Sequence, residues 1–460
     1  MKTNEYTMYR LIHSQEMVRF MWKYTLHMQS TQIPCAVAFC EELDFPILAR
    51  AVNVEIERND CLRIRLKRGV GGLREYFLDR FELEKIPIKD FSSKEEMTAF
   101  FDADASKKLN VFSGETFRIF FFRIGGGSCG IYLNVSHMIM DAAATFIFFK
   151  DLMNVYDSLK TSAPLPRPLS GYEEIIKREQ NDPELEKRIA EEGRILDSYV
   201  AEKGTPHFGM VNGDGFLDRQ RKLLHKPGLT LPHIYLPIKD ETHMLKLRVG
   251  DEESRAMTSF VEENHLSAEW LIQLGFRLSF SRLNHIENDT LFWVLCPRRR
   301  TVKEKRCGGT LASPMPWREK LPDEMTFSEA LRQLSETQAF LFRYSDVPFT
   351  TVRSNEQKRY RLSLIQSMNC MMFSYLPLSP DSLGKRRYEF FGFNFGHYVM
   401  PLYTVTLKDP STGNYVFSYI HRLWLSTDEE VERFHKTAVN AILRGIEDPN
   451  KTVGEIIKEI

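Results

Sequence analysis

Apolar and polar positions along this chain alternate between two rhythms, one helical and one of period two, and the rhythm changes every 10 to 20 residues. Residues 44–58 place Leu48, Ala51, Val52 and Ile56 on one face behind Asp44 and Pro46, which predicts a helix capped by Asp44. Asn59-Asp60 stops it, and Leu62-Arg-Ile-Arg-Leu66 then alternates like a half-buried strand. Gly69-Val-Gly71-Gly72 turns the chain into a second strand around residues 75–78. Overlapping capping boxes, Ser92-x-x-Glu95 and Ser93-x-x-Glu96, announce a short helix carrying Met97, Phe100 and Phe101. Residues 117–124 and 130–135 read as two strands joined through Gly125-Gly-Gly-Ser-Cys129, and an apolar helix is expected over 143–158.

Ala163-Pro-Leu-Pro-Arg-Pro168 breaks the pattern, and a charged segment (172–203) and a Gly-rich stretch (204–216) follow. The pattern predicts an N-terminal half over 1–165, a connector with a charged helix over 166–230, and a C-terminal half over 231–460. In the second half, strands are expected at 244–249, 291–296 and 415–420, and helices at 251–264, 267–283 and 427–443. Strands and helices mix in both halves without a strict βαβ rhythm, so the fold class is α/β with mixed sheets.

Within this pattern one stretch carries candidate chemistry. Ile131-Tyr-Leu-Asn-Val-Ser136-His137-Met-Ile-Met-Asp141-Ala142 is an apolar strand running into a histidine, an aspartate and then an apolar helix. It puts an imidazole at a sheet rim, a candidate general base, with Asp141 one turn on to hold the loop in shape. His-x-x-x-Asp occurs again at His285/Asp289, but in the polar turn 284–289, which reads as a solvated loop. Gly126-Gly-Ser128-Cys-Gly130 matches G-x-S-x-G, yet a strand follows where a nucleophile elbow needs a helix. No phosphate-binding glycine loop and no H-E-x-x-H is present.

Composition narrows the function classes. Lys+Arg and Asp+Glu both number 62, so no net field favours nucleic acid or an anionic membrane. No apolar run approaches the roughly 18 residues of a membrane span. The start, Met1-Lys-Thr-Asn-Glu-Tyr6, lacks a signal-peptide core, so a cytoplasmic protein is expected. Seven scattered cysteines without a C-x-x-C pair read as reduced thiols, and no metal site is expected. The 33 phenylalanines suit a large apolar interior or a lined tunnel. Arg298-Arg-Arg300-Thr-Val-Lys303-Glu-Lys305-Arg306 holds six basic residues in nine. It could receive phosphates of a coenzyme or an acidic carrier protein, supply an arginine to Asp141, or be a solvated loop.

In this order, these features resemble the chloramphenicol-acetyltransferase-like superfamily, specifically the condensation domains of nonribosomal peptide synthetases and their free-standing acyltransferase relatives. Leu11-Ile-His-Ser14-Gln15 is similar to the Leu-Ser-x-x-Gln opening of that family, and Arg58-Asn-Asp-Cys-Leu62-Arg63 to its Arg-His-x-x-Leu-Arg. Ser136-His137-Met-Ile-Met-Asp141-Ala142 aligns with the His-His-x-x-x-Asp-Gly signature, with Ser136 for the first His and Ala142 for the Gly. Pro297-Arg-Arg-Arg300 resembles the arginine turn of the second half, Gly308-Gly309 with Pro314 the segment after it, and Leu425-Ser-Thr-Asp428 the family's ending.

The resemblance implies two α/β sandwich halves in a V shape with a tunnel between them. It implies acyl transfer from a thioester, either acyl-CoA or acyl-phosphopantetheine on a carrier protein acting in trans, to a small-molecule amine or hydroxyl. His137 would be the general base. Asp141 would be structural and paired with an arginine, Arg299 before Arg298 or Arg300. Ser136 and Ala142 would face the oxyanion or substrate. No permanently bound cofactor is expected. A non-catalytic docking module and an epimerase of carrier-bound aminoacyl groups are the other readings.

Overall fold

The helix predicted behind Asp44 forms over Phe45–Arg58, with the Asp44 carboxylate accepting from the Ile47 amide. Its buried face (Leu48, Ala51, Val52, Ile56) is the one the spacing marks. The same local logic holds at Ser93, which caps the helix Lys94–Ala105, and at Thr427, which forms a capping box with Glu430 at the start of Asp428–Glu447. The computed structural model describes residues 6–69, 71–125, 127–213, 215–286, 289–384 and 386–460. The first five residues of the polar start, Gly126 of the G-x-S-x-G match and residues 287–288 of the second His-x-x-x-Asp turn lie outside them.

Among the described residues the first half carries β1 (Tyr9–Arg10), β2 (Gln32–Phe39), β3 (Ile64–Gly69), β4 (Gly72–Phe77), β5 (Ile88–Phe91), β6 (Phe117–Ile124) and β7 (Ser128–Ser136). Beyond the connector come β8 (Thr242–Arg248), β9 (Asp289–Cys296), β10 (Ser313–Lys320), β11 (Met372–Leu376), β12 (Tyr388–Gly392), β13 (Leu402–Lys408) and β14 (Tyr415–Arg422). They form a five-stranded sheet in the order β12-β2-β7-β6-β5, a six-stranded sheet in the order β10-β9-β11-β13-β14-β8, and a small sheet β1-β4-β3. Both large sheets mix parallel and antiparallel pairs: β5 runs parallel to β6, and β11 runs parallel to β9 and β13. This is the α/β architecture expected.

One strand crosses between the halves. β12 lies late in the chain, yet it pairs antiparallel with β2 in the N-terminal sheet, Tyr388 opposite Phe39 through Gly392 opposite Cys35. Just beyond it, Phe393 packs into an aromatic cluster of the first half in which Phe101 stacks on Tyr132 at 4.0 Å. The connector region is also more ordered than its polarity suggests. It holds helices Tyr172–Gln180 and Leu185–Ala201, and Tyr172 is fully buried.

The second His-x-x-x-Asp corrects the solvated-loop expectation in part. His285 is exposed, but Asp289 opens β9, is 2% exposed, and accepts from Arg318 Nε at 2.8 Å and Nη2 at 2.6 Å. Arg318 also donates to the carbonyls of Val200, Lys203 and Gly204, so the pair pins the C-terminal end of the connector helix Leu185–Ala201 to the C-terminal sheet. A carboxylate with a partner 29 positions away looks solvated in sequence and is buried in space. All seven cysteines are free, and six are buried. No helix among the described residues is long and apolar enough to cross a membrane.

Candidate active site

β7 ends at Ser136, where the Ser136 carbonyl accepts from the amides of Ile139 and Met140 and closes a tight turn. Met138, Ile139 and Met140 are fully buried, while His137 between strand and turn is only partly covered. Both main-chain groups of His137 are held from outside the turn. Its amide donates to Thr31 at 2.8 Å, and its carbonyl accepts from Thr310 Oγ1 at 2.6 Å. The apolar residues anchor the loop, and the imidazole is what it presents.

Asp141 caps the helix Ala142–Thr161, Oδ1 accepting from the Ala144 amide at 2.8 Å. Its other oxygen accepts three hydrogen bonds from the C-terminal half: Arg299 Nη1 at 2.8 Å, and the amides of Leu311 at 2.8 Å and Ala312 at 2.9 Å. Burial alone would raise this carboxyl, but the Arg299 charge and the hydrogen bonds outweigh it and hold it below the usual aspartate value. It stays ionised and its lone pairs are taken, so it acts as a latch between halves and has no capacity left to relay a proton.

The arginine run divides by direction. Arg298 adopts a left-handed backbone, φ 50°, and its guanidinium turns to Asp346 and Ser14. Arg299 turns to Asp141 and donates to the Gly309 carbonyl at 2.7 Å, and Arg300 pairs with Asp346. Lys303 pairs with Glu174, and Arg306 donates to the carbonyls of Arg167 and Pro168. Five of its six cations thus have internal partners, although Lys303 and Glu174 are 72% and 68% exposed. At Gly309 a Cβ would fall 2.1 Å from the Tyr172 ring, so the close approach that carries Arg299's acceptor needs glycine.

His137 and Ala142 line a cavity of about 480 Å³ between the two large sheets. Gln32, Cys35 and Phe390 supply one wall, and Met244, Tyr403 and Ile420 the other. Thr145 and Phe146 follow Ala142 on the same helix face, at the i+3 and i+4 positions. Ala142 keeps an ordinary negative φ, so a methyl in place of the family's glycine is accommodated. Ser136 does not line the cavity; its Oγ accepts from the Met138 amide at 3.3 Å, inside the turn. The oxyanion contact expected of Ser136 therefore has no support in its position.

Burial lowers the His137 imidazole below its usual value, against the opposing pull of the Asp141 charge and of its own backbone carbonyl. Its Nδ1 is buried without an ordinary hydrogen-bond partner. The ring is neutral at pH 7, so one nitrogen is free to accept a proton. Beneath the loop sits a group that sequence reading missed. Gln15 donates to Glu75 at 2.6 Å and to the Met138 carbonyl at 3.0 Å, and burial pushes Glu75 up to about 8. The opening motif that contains Gln15 gave a signal; nothing marked Glu75 or Thr310.

With this geometry in place, comparison with known proteins shows what the chain is similar to. The Condensation domain family model matches residues 5–192. The first condensation domain of the calcium-dependent antibiotic synthetase, solved with a substrate analogue, superposes with a TM-score of 0.80 at 14% identity, covering 98% of this chain and 99% of that one. A starter condensation domain of rhizomide synthetase, solved with C8-CoA, gives 0.79 at 12% identity over 97% of each chain. A plipastatin synthase polypeptide of Bacillus subtilis (strain 168) is 20% identical over 462 residues, which take in 97% of this chain. The chain spans only 17% of the length of that relative. Residues 5–192 thus match the condensation-domain family model, and the chain as a whole has the fold of these solved condensation domains.

Proposed function

We propose that the protein is an acyltransferase that moves an acyl group from a thioester to an amine or hydroxyl, with His137 as general base. The observation that carries this is a neutral imidazole on the wall of a cavity open to both sheets, on a loop fixed from both halves. The nucleophile's proton passes to His137 as its lone pair attacks the thioester carbonyl. The tetrahedral intermediate then expels the thiolate, which takes up a proton, leaving an amide or ester and a free thiol. General-base help of this kind contributes about 10²–10⁴-fold, and alignment in the cavity supplies further acceleration. Asp141 and Arg299 position the loop and exchange no proton.

The donor is acyl-CoA or an acyl-phosphopantetheine on a carrier protein, and the acceptor a small molecule. The C8-CoA complex of the rhizomide relative supports a thioester donor in this fold. The aromatic and aliphatic lining from Phe390, Phe391, Met372 and Val405 suits an apolar acyl portion. Thiol release from an acyl-CoA panel, with and without amines and alcohols, tests the reading. His137→Ala is expected to lose at least 100-fold in turnover while its melting temperature moves little. Turnover unchanged in that variant would remove His137 from the chemistry.

A further inference from the structure

His243 on β8 and His421 on β14 stand directly opposite each other across an antiparallel pair, and both reach the first residue of the helix Asp428–Glu447. His243 Nδ1 lies 2.8 Å from Asp428 Oδ1, and His421 Nε2 lies 2.8 Å from the same oxygen. The rings are 6.0 Å apart at 82° to each other, and one nitrogen of each lies against the same carboxylate oxygen. We propose that His243, His421 and Asp428 form a site for a divalent transition cation of the zinc type, with water completing its coordination.

The donor set is the borderline one that such ions favour, two imidazole nitrogens and a carboxylate oxygen, with metal–ligand distances of about 2.0–2.2 Å. The ligand atoms all lie within 4.8 Å of one another. His421 is fully buried, and its remaining nitrogen, Nδ1, meets Ser426 Oγ at 3.1 Å. A second hydrogen bond of that kind orients a ligating imidazole. The serine hydroxyl can donate or accept, so it suits either ring tautomer and the cation need not expel a proton from a neutral ring. His243 and Asp428 are 47% and 41% exposed, which leaves a solvent side for entry and for water ligands.

A second cluster of the same residue types, whose ligand atoms also lie within 4.8 Å of one another, differs in ring geometry. His27 and His397 also share an aspartate, Asp240, but their rings stack 3.5 Å apart at 14°. Lone pairs in parallel planes do not converge, so one ion cannot lie in both rings.

The site sits behind the cavity. Met244 and Ile420, the neighbours in sequence of His243 and His421, are themselves cross-strand partners and line it from the other face of the sheet. A bound ion would tie the edge strand β8 to the helix start and stiffen that wall.

Calorimetric titration of the full chain with Zn²⁺, and Co²⁺ titration followed by visible absorption, test the site. One equivalent is expected, with a rise in melting temperature. His243→Ala, at an exposed edge position that folding tolerates, should weaken Zn²⁺ binding at least tenfold, while His397→Ala should retain it. No stoichiometric binding by the folded protein, binding kept in His243→Ala, or binding lost in His397→Ala would each overturn the proposal.

Discussion

At the scale of single residues, the Asp141 carboxylate is the most heavily committed group near His137. It accepts four hydrogen bonds, three of them from the opposite half. Asp141→Ala leaves the Arg299 guanidinium buried without its counter-charge and strips three amides, those of Ala144, Leu311 and Ala312, of their acceptor. Breaking a buried pair on one side costs about 3–5 kcal/mol. Lower soluble yield, a lower denaturation midpoint and lost turnover are therefore expected together, in contrast to His137→Ala. A midpoint equal to wild type would refute the latch. Sequence pattern placed His137, Asp141 and the arginine turn because strand, turn and helix are local. It left open which of three consecutive arginines faces Asp141, since a left-handed residue at Arg298 redirects those after it. Ser136 was placed at the loop, but its orientation depends on a turn hydrogen bond that no spacing reveals.

At the scale of elements, local caps at Asp44, Ser93 and Thr427 made their helices legible, while the capping box at Thr326, which opens the helix Phe327–Arg343, went unread. β12 was missed, as were its partner β2 and β1, β5, β10, β11 and β13; in β12 five residues between glycine- and arginine-rich segments offer little periodicity, and β2 lies near the other end of the chain. Gly309 shows how one element constrains another. Its segment passes so close to the buried helix start at Tyr172 that any side chain meets the ring. Gly309→Ala should cost about 1–3 kcal/mol by overpacking and shift the carbonyl that Arg299 uses. Urea unfolding together with turnover would show it, and a fully stable, fully active variant would mean the approach is looser than the structure indicates.

At the scale of the whole molecule, Glu75 makes stability depend on pH. Its folded value, about 8, lies above the ordinary 4.5, so between those limits the folded state holds a proton that the unfolded chain has lost. Stability therefore falls as pH rises through that window, by up to about 1.4 kcal/mol per pH unit from this group. Glu75→Gln keeps a neutral amide in place and should flatten the slope, bringing its largest gain near pH 8. Denaturation midpoints measured from pH 5 to 8.5 on both proteins decide it; parallel curves would exclude Glu75 as the source. None of this was visible in a strand reading of residues 75–78, because the carboxyl's surroundings come from elsewhere in the chain, as Gln15 of the helix His13–Met21 shows.

β12 also decides where the molecule could be severed. The proline- and charge-rich connector looks like the place for a cut, yet a piece ending there would leave β2 with five backbone positions unmatched along one side. Those bare amides and carbonyls, flanked by Ala36, Val37 and Ala38, form a template that a second chain could complete. Each half is thus finished by the other, and the covalent join is the weaker part of what makes them one protein.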